Sequence, residues 1–417
     1  MKIFKFGGAS VRDAVSVKNV AEILKLFPDE NLVVVISAMG KTTNALEKLA
    51  IAYYYKKDDQ QPLLAEIKKF HFDIISQLFP NQTHPVYTEL NNAFVELDWA
   101  VEGDPEQSFS HEYDQIVSVG ELISTRIVSA YLNEIGLKNK WEDARDYIKT
   151  NNTYREGKVD WDLTLELSKP LFTGERIKIT QGFIGGTSEN YTTTLGREGS
   201  DYTAAILAYC GNAQDVTIWK DVPGVLNADP KWFDETKLIE QLSYHDAIEL
   251  AYYGATVIHP KTIKPLQNKN IPLYVRSFIH PKEKGTVIND LQSQLPVPCF
   301  IFKVDQVLLS ISPKDFSFIV EENLSDIFKL FSEHGIKINT MQNSAISFSI
   351  CVDIHEQKLP QLLNLLQGQY RVLYNRGVEL VTIRYYDQAT IDRVTLHKTI
   401  LLEVKSRYTV QLVVKNN

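Results

Sequence analysis

From Lys2 to about residue 290, short runs of β-branched and aromatic residues alternate with stretches whose apolar positions recur at helical spacing. The runs Lys2–Phe6, Asn31–Ser37, Arg176–Phe183, Asp215–Trp219 and Pro272–Arg276 predict strands. The periodic stretches Ser16–Lys25, Asn44–Tyr55, Glu121–Glu134 and Tyr202–Tyr209 predict helices. Apolar strands alternating with helices imply an α/β fold, a mainly parallel sheet sandwiched by helices.

A break follows. Pro281, Gly285, Asn289-Asp290 and the stretch from Gln292 to Pro298 carry turn and linker residues. Beyond them the pattern predicts strand Gln306–Ile311, helix Leu324–His334 ended by Gly335, strands Ile336–Met341 and Ile346–Ile354, helix Leu359–Leu366 and strand Val378–Tyr385. That order is βαββαβ, a ferredoxin-like unit. After Gln388 only Lys398–Lys405 and Thr409–Lys415 read as strands, too few for a second complete unit. The expected division is 1–294 and 295–417, the latter with a first module at about 303–387 and a truncated second at about 388–417.

At 417 residues, 44% hydrophobic and 23% charged, the chain has room for two or three domains. Its net charge of −8 gives no general attraction to nucleic acid or an anionic membrane, so neither is expected as a partner. An anionic substrate must instead be met by locally placed lysine and arginine. Three widely spaced cysteines, Cys210, Cys299 and Cys351, argue for a reducing, cytoplasmic compartment and against disulfides or a zinc site. The histidines are scattered, and no signal peptide fits the N-terminus, where Gly7 interrupts a short apolar stretch. Apolar runs such as Leu32–Ile36 fall far short of the ~20 residues of a spanning helix.

Four loops could carry chemistry. Lys5 lies within the first apolar strand and precedes Gly7-Gly8, a turn whose N–H groups can approach an anion that would also neutralise the lysine. An edge strand with a solvated lysine explains the same residues. Ser37-Ala38-Met39-Gly40-Lys41-Thr42-Thr43-Asn44 runs from strand to helix, where α/β proteins bind ligands, but lacks GxxxxGK[ST] spacing. Helix capping by Thr42 or Thr43 is the competing reading.

The third loop, Thr194-Leu195-Gly196-Arg197-Glu198-Gly199-Ser200-Asp201, frames an arginine with glycines at a helix start. It offers a guanidinium and free backbone donors to a carboxylate, and a buried Asp201 could orient a lysine such as Lys5. A helix cap accounts for Ser200-Asp201 but not for Arg197. The fourth, Trp219-Lys220-Asp221-Val222-Pro223-Gly224-Val225 with Asn227-Ala228-Asp229-Pro230-Lys231, is either a nucleotide-edge loop or a structural turn. Glu121 is an ammonium partner or a first-turn glutamate favoured by the helix dipole.

Together these stretches resemble the aspartate kinases of the amino-acid-kinase family. Lys5-Phe6-Gly7-Gly8-Ala9-Ser10-Val11 is similar to KFGGTSV with Ala9 for Thr, and Thr193-Thr194-Leu195-Gly196-Arg197-Glu198-Gly199-Ser200-Asp201 to TTLGRGGSD with Glu198 for Gly. Lys220–Val225 resembles TDVPGI, and Gly254–Pro260 resembles GAKVIHP. The tail resembles an ACT regulatory module at Glu322–Phe328 and His334–Thr340.

The resemblance implies ATP-dependent phosphorylation of the L-aspartate side-chain carboxylate to 4-phospho-L-aspartate, the entry to lysine, threonine and methionine synthesis. Mg²⁺ would be bound mainly through the ATP phosphates. It implies catalytic roles for Lys5, which stabilises the transferring phosphoryl group, and for Asp201, which organises that lysine. Gly7, Gly8 and Ser10 would cradle phosphate oxygens, and Lys220, Asp221, Asp229 and Lys231 would border the nucleotide. Arg197 would hold a substrate carboxylate and Glu121 the ammonium, with Thr43 and Ser200 completing the substrate contacts. A homodimer through the ACT modules is implied, with a lysine or threonine effector near Asn339, Met341, Asn343 and Ser344, or with dimerisation as the module's sole role.

Two further residues depart from the pattern. The family's GAK lysine is Thr256 here, and Lys261 or Lys220 is expected to supply the missing charge, with Lys261 the first choice. Leu226 stands where many relatives carry an aromatic residue. The competing functions are a glutamate or acetylglutamate kinase of the same fold and a non-catalytic amino-acid sensor.

Overall fold

A computed structural model describes the chain apart from residues 58, 234, 256–257, 292–296, 316 and 354–357. The chain forms two compact units. One comprises Met1–Val225, Glu240–Ile248 and Val257–Ser293, the other Leu226–Ile239, Glu249–Thr256 and Gln294–Asn417. Two stretches that a linear division assigns to the first region thus group with the C-terminal residues.

The strands of the first unit are β1 Lys2–Phe6, β2 Leu32–Ile36, β3 Lys140–Glu142, β4 Ile177–Gln181, β5 Ile184–Gly186, β6 Thr192–Thr194, β7 Val216–Lys220, β8 Gln241–Ser243, β9 Leu273–Ser277 and β10 Thr286–Asn289. Eight of them build one sheet in the order β3-β4-β2-β1-β7-β9-β10-β8. Every pairing in it is parallel except β9 with β10. β5 and β6 form a separate antiparallel pair. The mainly parallel α/β architecture expected from the apolar runs is present, and the five predicted strands form, Lys2–Phe6 with the expected ends and the other four with ends shifted by one or two residues.

β1 lies between β2 and β7, with Lys5 opposite Val35 on one side and Ile218 on the other. It is a central strand, so the edge-strand reading of Lys5 is wrong. Every residue of β2 is buried, as a strand covered on both faces demands. Beneath β1 and β7, Phe4, Phe6 and Trp219 form one aromatic cluster. Trp219 stacks on Phe6 at 6.0 Å between ring centroids and meets Phe4 edge-on at 5.7 Å. Two long helices absent from the periodicity reading, Gln60–Leu78 and Pro85–Ala100, add Leu64, Ile67, Ile75, Leu90 and Phe94 to this core.

The second unit is an antiparallel sheet of β11 Cys299–Pro313, β12 Lys337–Asn343, β13 Phe348–Asp353, β14 Tyr370–Arg384, β15 Lys398–Lys405 and β16 Thr409–Asn416, ordered β12-β13-β11-β14-β16-β15. β11 and β14 pair along their length, interrupted by register shifts around Gln306, where Asp305 has φ of +54°. The break separates two halves. Leu308–Pro313 pairs with Tyr370–Asn375 beneath helices Glu321–Glu333 and Leu359–Gln369, whose Phe331 and Leu366 meet Leu309, Phe348 and Ile350. Cys299–Lys303 pairs with Leu380–Arg384, and Ile383, Val410 and Leu412 pack there against Ile391 of helix Gln388–Thr395.

The strand that closes the first βαββαβ run is therefore Tyr370–Asn375, whereas Val378–Arg384 lies in the half that also holds β16. The periodicity missed this because both strands belong to one continuous extended segment. It also missed helix Gln388–Thr395, whose start is set by Asp387 accepting the Thr390 N–H at 2.8 Å. Ile354, the expected end of β13, lies outside the described residues.

Trp219→Ala is expected to cost about 3–5 kcal/mol of stability, read as a lower urea midpoint. Trp219→Phe should cost much less, because the buried indole N–H has no hydrogen-bond partner among the described residues to lose. Equal losses in both variants would show that the ring is not what packs this core.

Candidate active site

A cavity of about 710 Å³ opens at the carboxyl end of β1, β4 and β7 and is lined by residues of the first unit. Its charged wall contains Lys5, Arg155, Arg197 and Lys220 against Glu121, Glu156, Glu198 and Asp201. Four cations and four carboxylates around one space suit a ligand carrying both signs of charge.

Lys5 reaches from β1 to Asp201, in the first turn of helix Gly199–Gly211, with Nζ 2.6 Å from Oδ1. Both are buried. Lys220, at the end of β7, places its Nζ 3.7 Å from the other Asp201 oxygen. Burial pushes the Asp201 carboxyl upward, but the two lysines outweigh it and hold the group below the usual aspartate range. The simple helix-cap reading of Asp201 therefore gives way to a lysine clamp. The helix can begin here because Gly182, just after β4, lacks a side chain: a Cβ there would lie 2.4 Å from that of Ser200.

Glu121 sits in the first turn of helix Val119–Glu134, only 2% exposed. One carboxylate oxygen accepts the Ala38 N–H at 3.3 Å, and the other is buried with no partner among the described residues. Burial drives its pKa up to about 8, against the opposing pull of the Ala38 N–H and the Lys5 charge. Burial thus favours the protonated form of Glu121 around neutral pH. A dipole-favoured surface glutamate would be neither buried nor orphaned.

Thr43, Arg197 and Ser200 line the cavity, with Arg197 exposed and Ser200 buried. Thr42 opens its helix with Lys41 at the cap position, and its hydroxyl donates to the Met39 carbonyl at 2.6 Å, so neither threonine is the N-cap. Gly8 has a packing reason to be glycine, because a Cβ would lie 2.8 Å from the Gly40 carbonyl oxygen. Gly7 flanks the Lys5 ammonium, and Ser10 is buried with its hydroxyl donating to the Trp219 carbonyl at 3.4 Å. Gly7, Gly8 and Ser10 do not line the cavity.

Lys261 is exposed at the start of helix Pro260–Asn268 and does not line the cavity, whereas Lys220 does. Asp221 is exposed just after β7. Asp229 and Lys231 belong to the second unit, in Leu226–Ile239, where Asp229 accepts the Lys231 N–H at 2.9 Å. Thr256 lies outside the described residues. In the second unit, the Asn339 side chain accepts from Lys303 at 2.7 Å and donates to Gln306 at 2.6 Å. Met341 and Asn343 are exposed on edge strand β12, and Ser344 bonds to Ser347.

Sequence reasoning missed Tyr113, Asp114 and Arg155. Asp114 is fully buried and accepts three hydrogen bonds: the Arg155 N–H at 2.8 Å, the Thr194 N–H at 2.9 Å and the Thr194 hydroxyl at 2.7 Å. It ties the Arg155 turn, at φ of +67°, to the strand leading into the Arg197 loop. Burial raises its pKa to about 6 in spite of those donors. The Arg155 guanidinium lies 4.4 Å from the Tyr113 ring. No local motif marks these residues, since their partners are distant in sequence.

Residues 1–277 match the amino acid kinase family. The chain is 32% identical over 431 residues to aspartokinase 1, chloroplastic, of Arabidopsis thaliana, covering 91% of this chain and 74% of that protein. Among solved structures it is similar to E. coli aspartokinase III in complex with lysine and aspartate (T-state), with a TM-score of 0.83 at 28% identity over 99% of this chain and 95% of that one. The complex of the same enzyme with aspartate and ADP (R-state) gives 0.81 at 28% identity over 99% and 96%.

Asp114→Asn leaves one acceptor oxygen for three donors. It should cost about 1–3 kcal/mol and loosen the Arg197 loop. Thermal unfolding together with ligand-binding titration checks this; unchanged stability would remove Asp114 from the scaffold of the site.

Proposed function

The chain belongs to the amino acid kinase family, and from that premise we propose that it phosphorylates the side-chain carboxylate of L-aspartate with ATP, giving 4-phospho-L-aspartate and ADP. The observation that carries this reading is the Lys5–Asp201–Lys220 cluster in the wall of a cavity that also presents Arg197 and Glu121. The solved aspartokinase with aspartate and ADP supports the choice of substrates.

The chemistry needs little from the protein beyond placement. A carboxylate is ionised at pH 7, so no general base is required. One of its oxygens attacks the γ-phosphorus, the bond to the β–γ bridging oxygen breaks, and ADP leaves with that electron pair. Lys5 lies where it can neutralise the transferring phosphoryl group, and Asp201 holds its ammonium in place. Lys220, rather than Lys261, supplies the second phosphate-facing charge, because it lines the cavity. Gly7, Gly8 and Ser10 shape the turn that fixes Lys5, while Asp221, just after β7, is the nucleotide-side residue.

Arg197 takes a substrate carboxylate, Glu121 the ammonium, and Thr43 and Ser200 the remaining polar atoms. Among the described residues no group of three or more His, Cys, Asp or Glu side chains could hold a metal ion. In this reading Mg²⁺ is carried mainly by the ATP phosphates, where it would offset their charge.

The second unit we read as an ACT-type regulatory region that pairs into a homodimer and takes lysine or threonine as effector. The lysine complex of the similar enzyme supports lysine. Among the described residues no helix is long and apolar enough to cross a membrane, and no disulfide joins the three buried cysteines. Both fit a cytoplasmic biosynthetic enzyme.

ADP release with ATP, Mg²⁺ and L-aspartate, against L-glutamate and N-acetyl-L-glutamate controls, tests the assignment. Lys5→Met should lower kcat by about a thousandfold. A loss below tenfold would remove Lys5 from the phosphoryl site.

Glu121 gives the pH dependence a sign. Its raised pKa means that substrate ammonium must drive off a proton near pH 7. The KM for aspartate should therefore fall roughly five- to tenfold between pH 7 and 8.5, and Glu121→Gln should flatten that dependence. A wild-type KM that is constant or rises over this range would contradict the role.

A further inference from the structure

Glu198 is held in a conformation that glutamate does not favour. Its φ and ψ are 54° and 29°, in the left-handed region, at the residue that caps helix Gly199–Gly211. Glycine suits that backbone, and the family pattern TTLGRGGSD has glycine there. Glu198 nevertheless lines the cavity, and one of its carboxylate oxygens is withheld from solvent with no hydrogen-bond partner among the described residues. A left-handed backbone and a buried carboxylate oxygen without a partner both cost stability, and neither is offset among the described residues.

Its neighbour in sequence, Arg197, lines the same cavity. Consecutive residues thus present a cation and an anion to one space. That pattern complements the head group of an α-amino acid, whose carboxylate and ammonium share a single carbon. A divalent cation is a poorer match, because Mg²⁺ requires several oxygen ligands in octahedral array and no carboxylate cluster of that kind exists among the described residues.

We infer that Glu198 is a specificity-determining residue that contacts the ammonium of the amino-acid substrate, alongside the more deeply buried Glu121. This rests on the site being the one that binds L-aspartate. The carboxylate gains its missing partner only when substrate arrives, so the strain is offset in the complex and not in the free protein.

Succinate, which is aspartate without its ammonium, separates this role from a structural one. In Glu198→Gln the KM for aspartate should rise about tenfold, while the inhibition constant of succinate changes by less than about twofold. Glu198→Gly should show the same selective loss together with a melting temperature raised by roughly 1–4 °C, because glycine relieves the left-handed backbone. Equal weakening of aspartate and succinate, no weakening of either, or a raised Mg²⁺ requirement with the aspartate KM unchanged would each overturn the inference. Wild-type turnover is read in the same assay. If aspartate is neither turned over nor bound, the underlying reading falls and this inference with it; turnover with unaltered selectivity in both variants removes this inference alone.

Discussion

A lysine in the middle of a parallel sheet has no water to turn to, so Lys5 depends on Asp201, 2.6 Å away on the helix that follows β6. The pair fixes more than two side chains. It sets where helix Gly199–Gly211 begins against the sheet, brings the Arg197 loop beside β1, and gives Lys220 a shared carboxylate from β7. Three segments far apart in sequence converge because one buried charge needs a partner. Breaking such a pair by removing one member would leave the other buried and uncompensated, which is why both ends are held so firmly.

Around this clamp the cavity separates two electrostatic roles. In the proposed reaction the lysines at the strand ends serve the transferring phosphoryl group. The substrate's ammonium would then meet two carboxyl groups: burial raises the pKa of Glu121 to about 8, and one oxygen of Glu198, on a left-handed backbone, has no hydrogen-bond partner among the described residues. Asp114 works behind them, spending its three acceptor contacts on holding two loops. Its own burial raises its pKa, the cost of placing a carboxylate where no solvent reaches.

The second unit follows a different logic. Its two halves share two long strands, and the register breaks at Gln306 let one continuous pair serve two packed layers of helices. The chain enters one half at Cys299, builds the other, and returns, so contiguous modules read along the sequence do not coincide with the halves that pack together.

The apolar runs sufficed for the strands of the first unit and for its α/β class, because a strand buried on both faces must be apolar throughout. Glycine-rich loops at strand ends marked Lys5, Arg197 and Asp201, because tight turns need residues without a Cβ. Periodicity did not reveal the helices Gln60–Leu78 and Pro85–Ala100, nor where β14 divides, although Asp59, Pro85 and Gly377 stand at those boundaries. The sequence by itself thus determined the fold class and marked Lys5 as a candidate. Only the tertiary structure decided that Lys220 and not Lys261 lines the cavity, that Glu121 is buried with its pKa raised, and that Asp114 and Arg155 belong to the scaffold around it. Charge state and facing depend on burial and on partners dozens to hundreds of residues away, and no local pattern encodes those distances.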